Sequence, residues 1–353
     1  MVNTDDPFYF KDGNLIWIRN IKGADSTFLG IQLRRAKTEI LGGAIGSSQK
    51  ALTIVVLKNL RVALPPPREQ RAIAEALGDV DALLGALEKL IAKKRDLKQA
   101  AMQQLLTGKK RLPGFSGEWE LKRLGDVVEI FSGGTPRTNM PAYWDGGIKW
   151  CTPTDITGTA GKYLTETERT ISQAGLQSCS AQLLPVGTLL LCSRATIGEL
   201  RIAACDVCTN QGFKSLVTGK TVNNEFLYYL LLTMKPQMVE RAIGSTFLEI
   251  SKRDTSAIEV SFPSIPEQVA IATVLSDMDV EIAALEQRLA KTRALKQGMM
   301  QELLTGRTRL VGGGDRTDRA DRTDRMEPGR EKMGRREKIE WSGRKRPARS
   351  RRV

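Results

Sequence analysis

From Pro67 onward, apolar residues recur at Ile73, Leu77, Val80, Leu84, Leu87 and Ile91, a 4-3-4-3-4 spacing. That spacing is the seam of a heptad coiled-coil helix. The same pattern returns in the same register at Ile271, Leu275, Met278, Ile282, Leu285 and Leu289. Between the seam positions lie Ala, Glu, Lys, Gln and Arg, all good helix formers. Pro67 and Pro266 stand at or just before the first turn, and Glu69 and Glu267 sit near the positive end of the helix dipole. Thr107-Gly108 and Thr305-Gly306 mark the stops, where glycine can take the left-handed C-cap conformation. Each helix should run about 40 residues, roughly 60 Å at 1.5 Å per residue. Two such helices can pack together as an antiparallel coiled coil. The alternative is a pair of ordinary core helices in one globular domain, but the narrow seam and the charged flanks argue against it.

The two helices belong to a longer repeat. "LKQAAMQQLLTGKKRL" from Leu97 matches "LKQGMMQELLTGRTRL" from Leu295, an offset of 198 residues. Without a gap, "AIGSS" from Ala44 pairs with "AIGST" from Ala242, Pro65 with Pro263, and Glu69-Gln70 with Glu267-Gln268. Across residues 44–112 roughly 30 of about 70 positions are identical, and a period this long excludes a solenoid. The pattern is that of one module present twice, a variable part followed by a similar segment.

Between the helices the periodicity changes. Residues 113–262 open with "GFSGEWELKRLGDVVEI" and a glycine turn, "FSGGTPRTNMPAYW", then give the short apolar runs "GIKWCTP", "GTLLLCS" and "GELRIAA". These read as strands separated by turns. "NNEFLYYLLLTM" reads as a buried helix capped by Asn223 or Asn224. The expected fold class is a mixed, strand-rich α/β domain joined to the two long helices.

Composition narrows the function. The net charge is +14. The stretch from Val311 onward holds 15 Lys/Arg and 8 Asp/Glu, so it supplies +7 and the rest of the chain the other +7. A basic balance points to a polyanionic partner, with a basic tail on an ordinary protein as the plain alternative. With no histidine at all, Ser-His-Asp and Cys-His nucleophiles and His-ligated metals are excluded. Cys205 and Cys208 form a lone Cys-x-x-Cys; zinc would need Cys151, Cys179 or Cys192 to converge on it, so packing thiols and no metal are expected. No apolar run approaches roughly 18 residues, and "MVNTDDPFYF" lacks a signal-peptide pattern, so a cytoplasmic protein without a membrane span is expected. "DPFY" at Asp6 to Tyr9 faintly resembles an adenine-methyltransferase motif but has no glycine-rich cofactor loop beside it. "VTGKT" at Val217 lacks the upstream glycine of a phosphate loop. No cofactor is therefore expected.

The order of "SGGTPRT", "YWDGGIKWCTPTDI", "LLPVGTLLLCSRATIGELRIA", "TNQGFKSL", "NNEFLYYLL" and "GSTFLEISKRD" resembles a target-recognition domain. The family is the DNA-specificity (S) subunit of type I restriction-modification enzymes. "PPPREQRAIAEAL" and "PSIPEQVAIATVL" resemble the starts of its two helical spacers. The resemblance covers about residues 7 to 310. It implies a non-catalytic subunit in which two recognition domains each read half of a split target in double-stranded DNA. It implies that the spacer helices set the distance and dock methyltransferase (modification) subunits, which bring in the restriction subunit. The implied division is a remnant of the first recognition domain at 1–66, a central spacer at 67–110, a second recognition domain at 111–264 and a distal spacer at 265–310. Residues 311–353 depart from the family, and their repetitive, charged sequence, poor in large apolar residues, reads as a disordered basic tail.

Base readout needs paired donors and acceptors, and phosphates take backbone amides. The candidates are Gly133, Gly134, Thr135, Arg137 and Thr138; Ser193, Arg194 and Thr196; Thr209, Asn210, Gln211 and Lys214; and Ser245 and Thr246. For each, an ordinary structural role in a turn is the plain alternative. The chain departs from the family in front: about 64 residues precede the first spacer, against about 150 before the second, so the first recognition domain reads as a remnant. Two expectations follow. Either one intact half-site reader works here, with two chains able to pair through their helices, or the chain is a non-selective coiled-coil interaction protein. The tail either binds DNA without sequence preference or is an unselected extension.

Overall fold

The computed structural model describes residues 16, 18–44, 52–244 and 248–311. They fall into two compact units, one from Met1–Leu90 with Leu285–Val353, the other from Ile91–Ala284. In the first unit, α1 (Ser26–Arg35), α2 (Lys37–Gly42) and α3 (Ile54–Asn59) precede the start of α4 (Pro67–Leu105). Asp25 caps α1 by accepting the amide of Phe28 at 2.9 Å, and Thr53 caps α3.

The second unit carries the sheets. In chain order come β1 (Glu120–Arg123), α5 (Leu124–Val127), β2 (Val128–Ser132), β3 (Trp144–Cys151), α6 (Pro153–Gly158), β4 (Tyr163–Leu164), β5 (Arg169–Ile171) and α7 (Gln173–Gln177). Then follow β6 (Leu189–Cys192), β7 (Leu200–Ala203), β8 (Cys208–Thr209), β9 (Phe213–Thr218), α8 (Asn224–Thr233), α9 (Lys235–Glu240), α10 (Lys252–Ser256), β10 (Glu259–Phe262) and α11 (Ile265–Leu303). The main sheet has the order β2-β9-β6-β7-β4, antiparallel except where β4 joins β7. A three-stranded sheet runs β5-β3-β8, and β1 pairs with β10.

The apolar run of β6 is continuous because both of its faces are covered. Leu189 and Leu191 pack with Phe226, Leu227 and Tyr229 of α8, whereas Leu190 and Cys192 turn to Phe213, Leu164, Ile156 and Cys151. Of the two cap candidates on α8, Asn223 accepts the amide of Phe226 at 2.8 Å. The mixed α/β class with long helices is what the chain forms. Among the described residues no helix is long and apolar enough to cross a membrane.

The 198-residue repeat extends to the architecture. Bounds in the two units correspond: α1 with α8, α2 with α9, and α4 with α11. Phe28, Ile73, Leu77, Leu303 and Leu304 form one buried cluster; their counterparts Phe226, Ile271, Leu275, Leu105 and Leu106 lie together in another. The seam residues are buried or half-buried throughout, among them Leu87, Ile91 and Ile282. Ion pairs repeat too, Lys296–Asp81 in one unit and Lys98–Asp279 in the other, each at 2.5 Å. Arg293–Glu88 and Lys94–Glu281 follow, so α4 and α11 run antiparallel within each unit.

A polar clasp repeats as well. Gln70 donates to the carbonyls of Gly23 and Pro65 and accepts from the amide of Asp25. Gln268 does the same to Thr221, Pro263 and Asn223. Beside them the buried Glu267 carboxylate takes Nε and Nη2 of Arg111, both at 2.5 Å. Its counterpart Glu69 takes the amides of Leu310 and Val311, with Arg309 4.0 Å away.

Candidate nucleic-acid interface

The main sheet brings four loops to one end. Ser132 ends β2 opposite Lys214 of β9, and Cys192 ends β6 opposite Phe213. The end of β3 reaches the same place through Cys151, paired with Thr209. The loops after β2 and β6, the β8–β9 turn and the segment before Ile250 therefore meet, although up to about 110 residues separate them in sequence.

The first loop needs its glycines because it passes against the third. Gly134 donates to the Thr209 carbonyl at 2.9 Å, and a Cβ on Gly133 would run into the carbonyl oxygens of Thr209 and Asn210. The indole of Trp150 donates to the Gly134 carbonyl at 2.9 Å, and that of Trp144 to the Arg137 carbonyl at 3.2 Å. Arg169 stacks on the Trp144 ring at 3.6 Å. Thr135 Oγ1 bonds Gln211 Oε1 at 2.5 Å, tying the first loop to the third. Asn210 folds its own turn by accepting the amide of Gly212 at 2.8 Å.

The candidates differ in access. Arg137, Thr138 and Gln211 are exposed; Thr135, Arg194, Thr196 and Asn210 are half-buried. Gly133, Gly134, Ser193, Thr209 and Lys214 are buried, and Ser245 and Thr246 lie outside the described residues. The residue that sequence reasoning missed is Glu249. Its Oε2 accepts from Arg194 Nη2 at 2.6 Å and Nε at 3.1 Å, and its Oε1 from Lys214 Nζ at 3.1 Å. Burial pushes this carboxyl up, but the hydrogen bonds and charges of Arg194 and Lys214 outweigh burial and hold it below its ordinary value. The signal was present in "FLEISKRD", yet a carboxylate is not sought where a phosphate is expected.

Next to Arg194, Ala195 takes φ +61°, a left-handed conformation uncommon outside glycine. An open cleft of about 610 Å³ lies beyond it, lined among others by Thr157, Ala195, Lys235, Val239 and Leu248. The five cysteines are free. Burial raises the Cys151 thiol and pushes Cys192 up to about 11 and Cys208 up to about 12, which keeps them protonated near neutrality. Among the described residues no three metal-ligating side chains cluster.

The family profile described as the type I restriction modification DNA specificity domain matches residues 1–98 and 116–292. The type I restriction enzyme MjaIX specificity subunit of Methanocaldococcus jannaschii is 39% identical over 164 residues, 46% of this chain and 38% of that protein. The MjaVIII specificity subunit of the same organism is 24% identical over 305 residues, 81% of this chain and 71% of that protein. This chain thus spans well under half of the MjaIX relative. Among solved structures, the S subunit of the type I restriction-modification system from M. genitalium has the same fold. It superposes with a TM-score of 0.55 at 18% identity, covering 80% of this chain and 73% of that one.

Proposed function

The chain belongs to the type I restriction modification DNA specificity domain family, and we propose that it is a non-catalytic subunit that reads a DNA half-site and docks methyltransferase subunits. The observation that carries this reading is the meeting of four polar, partly basic loops at one end of the sheet, with Arg137, Thr138 and Gln211 exposed. In this reading Arg137 and Arg194 face the duplex. Thr135, Thr138, Thr196, Asn210 and Gln211 supply short polar contacts, as do Ser245 and Thr246. Buried Gly133, Gly134, Ser193, Thr209 and Lys214 set the loop shapes instead of touching bases.

The antiparallel stretches of α4 and α11 form the coiled coil on which methyltransferase subunits dock, and through them the restriction subunit. The seam residues Ile73, Leu77, Val80, Leu84, Leu87, Ile91, Ile271, Leu275, Met278, Ile282, Leu285 and Leu289 hold that pair together. The subunit works in the cytoplasm and needs no cofactor or metal of its own.

Selection of bound duplexes from a random-sequence library, with methyltransferase subunits present, tests the reading. A single short motif, or an inverted pair of it, is the expected result. Absence of any enriched motif overturns the reader and leaves only an interaction protein.

A further inference from the structure

We propose that Glu249 is a positioning residue for Arg194: it occupies one edge of the guanidinium, leaves the other edge for a guanine base, and has its own charge neutralised by buried Lys214. The inference rests on the reading of these loops as a DNA interface and deepens it. Arg194 gives both Nε and Nη2 to the same oxygen of Glu249, at 3.1 and 2.6 Å. Those two N–H groups lie on one side of the planar guanidinium. The outer edge keeps one N–H on each Nη, two parallel donors. Among the described residues nothing else accepts from Arg194. Two parallel donors match the O6 and N7 acceptors that guanine shows in the major groove.

A carboxylate at a DNA surface would ordinarily repel phosphate and cancel the arginine. Here its second oxygen takes Lys214 Nζ at 3.1 Å, and that lysine, 7% exposed, also donates to Ser193 Oγ at 3.3 Å. The three side chains sum to +1, so Arg194 keeps the effect of its charge. The backbone is set as well. Arg194 and Glu249 form a β-bridge, and Ile243 and Glu249 exchange amide bonds at 3.0 and 3.1 Å. The Ile250 amide donates to the Ser193 carbonyl at 3.0 Å. The left-handed Ala195 turn is closed by the Thr196 amide on the Arg194 carbonyl at 2.7 Å. Strained turns persist where the surroundings over-determine them. Arg194 is thus aimed before any duplex arrives, which removes part of the ordering cost of binding.

The test repeats the library selection on the full chain with methyltransferase subunits, comparing wild type with Glu249→Gln, Arg194→Ala and the double variant. Wild type should show a guanine preference at one position. Glu249→Gln should weaken it about tenfold and leave other positions unchanged. Arg194→Ala should flatten it, and the double variant should lose nothing more. A Glu249→Gln chain that keeps every base preference, or binds all sequences more tightly alike, overturns the positioning role while the reader assignment stands. Should Glu249→Gln fail to fold, as judged by circular dichroism, Glu249→Asp carries the test. It keeps the charge but draws the carboxylate back from Arg194 by one methylene, and an undiminished guanine preference overturns the proposal. No motif with wild type overturns the reader itself, and this role with it.

Discussion

At the scale of single residues, the most consequential groups are polar ones that the fold has buried with partners. Gln268 is 1% exposed and makes three hydrogen bonds to backbone. Gln268→Leu leaves the amide of Asn223 and the carbonyls of Thr221 and Pro263 without their partner. It should lower unfolding stability by about 2–4 kcal/mol, read from denaturant curves; Gln70→Leu should act alike. The Glu249 carboxyl is held below its ordinary value of 4.5. A depressed folded value means that its contribution is present above that pH and fades as pH falls through the folded value. The difference in melting temperature between wild type and Glu249→Gln should therefore be steady near neutrality, begin to shrink as pH falls below 4.5, and vanish once the pH is below the depressed folded value. Residue chemistry alone pointed to Ser193, Thr209 and Lys214, but it could not show that the fold buries them. Gln32 hid for the same reason: a polar letter in a helix reads as surface, yet it is buried and donates to the carbonyls of Ala63 and Leu304.

Among the elements, the long helices were the most legible, because a seam of period 3.5 over six positions admits no strand. Their helical turns stop at Leu105 and Leu303, a little before the glycines that the sequence marks. Gly108 and Gly306 are both left-handed, at φ +67° and +75°. A Cβ at Gly306 meets nothing, whereas at Gly108 it meets ring carbons of Trp119 at 3.3 and 3.4 Å. Trp119 has little room to give, since it packs edge-on to Phe226 and lies under Arg111. Gly306→Ala should cost about 1–2 kcal/mol from backbone strain alone. Gly108→Ala should cost more, and the ordering of the two denaturation midpoints checks the account. Apart from α8, whose apolar run and Asn cap stand out, the short helices were the least legible. Nothing in "STFLGIQLRR" has enough periods to stand out, and α1 becomes visible only through its capping Asp25 and its partner α8 198 residues on.

At the scale of the whole molecule, charge and repeat were legible from the letters, whereas the meeting of the four loops was not. It depends on strand order β2-β9-β6-β7-β4, which no local pattern encodes. One unit is a single run, Ile91–Ala284, and the other is split, needing Leu285 onward to complete what Met1–Leu90 begins. That division sets an order of events on the ribosome. When Leu90 has emerged, Phe28, Ile73 and Leu77 have no Leu303 and Leu304 to cover them. The intervening 194 residues take roughly 10–40 s to make at bacterial and eukaryotic elongation speeds. The interrupted unit waits through that interval with apolar surface open to solvent and to chaperones, while the later-made unit closes first. A chain stopped at Ala284 should show protease-resistant residues 91–284 and rapid cleavage before Leu90, and equal resistance of both regions would refute this order. The cost of placing a helix end in the other half of the gene is thus a period of exposure during synthesis, and substitutions at Phe28 or Leu77 should be felt in yield as much as in the stability of the finished protein.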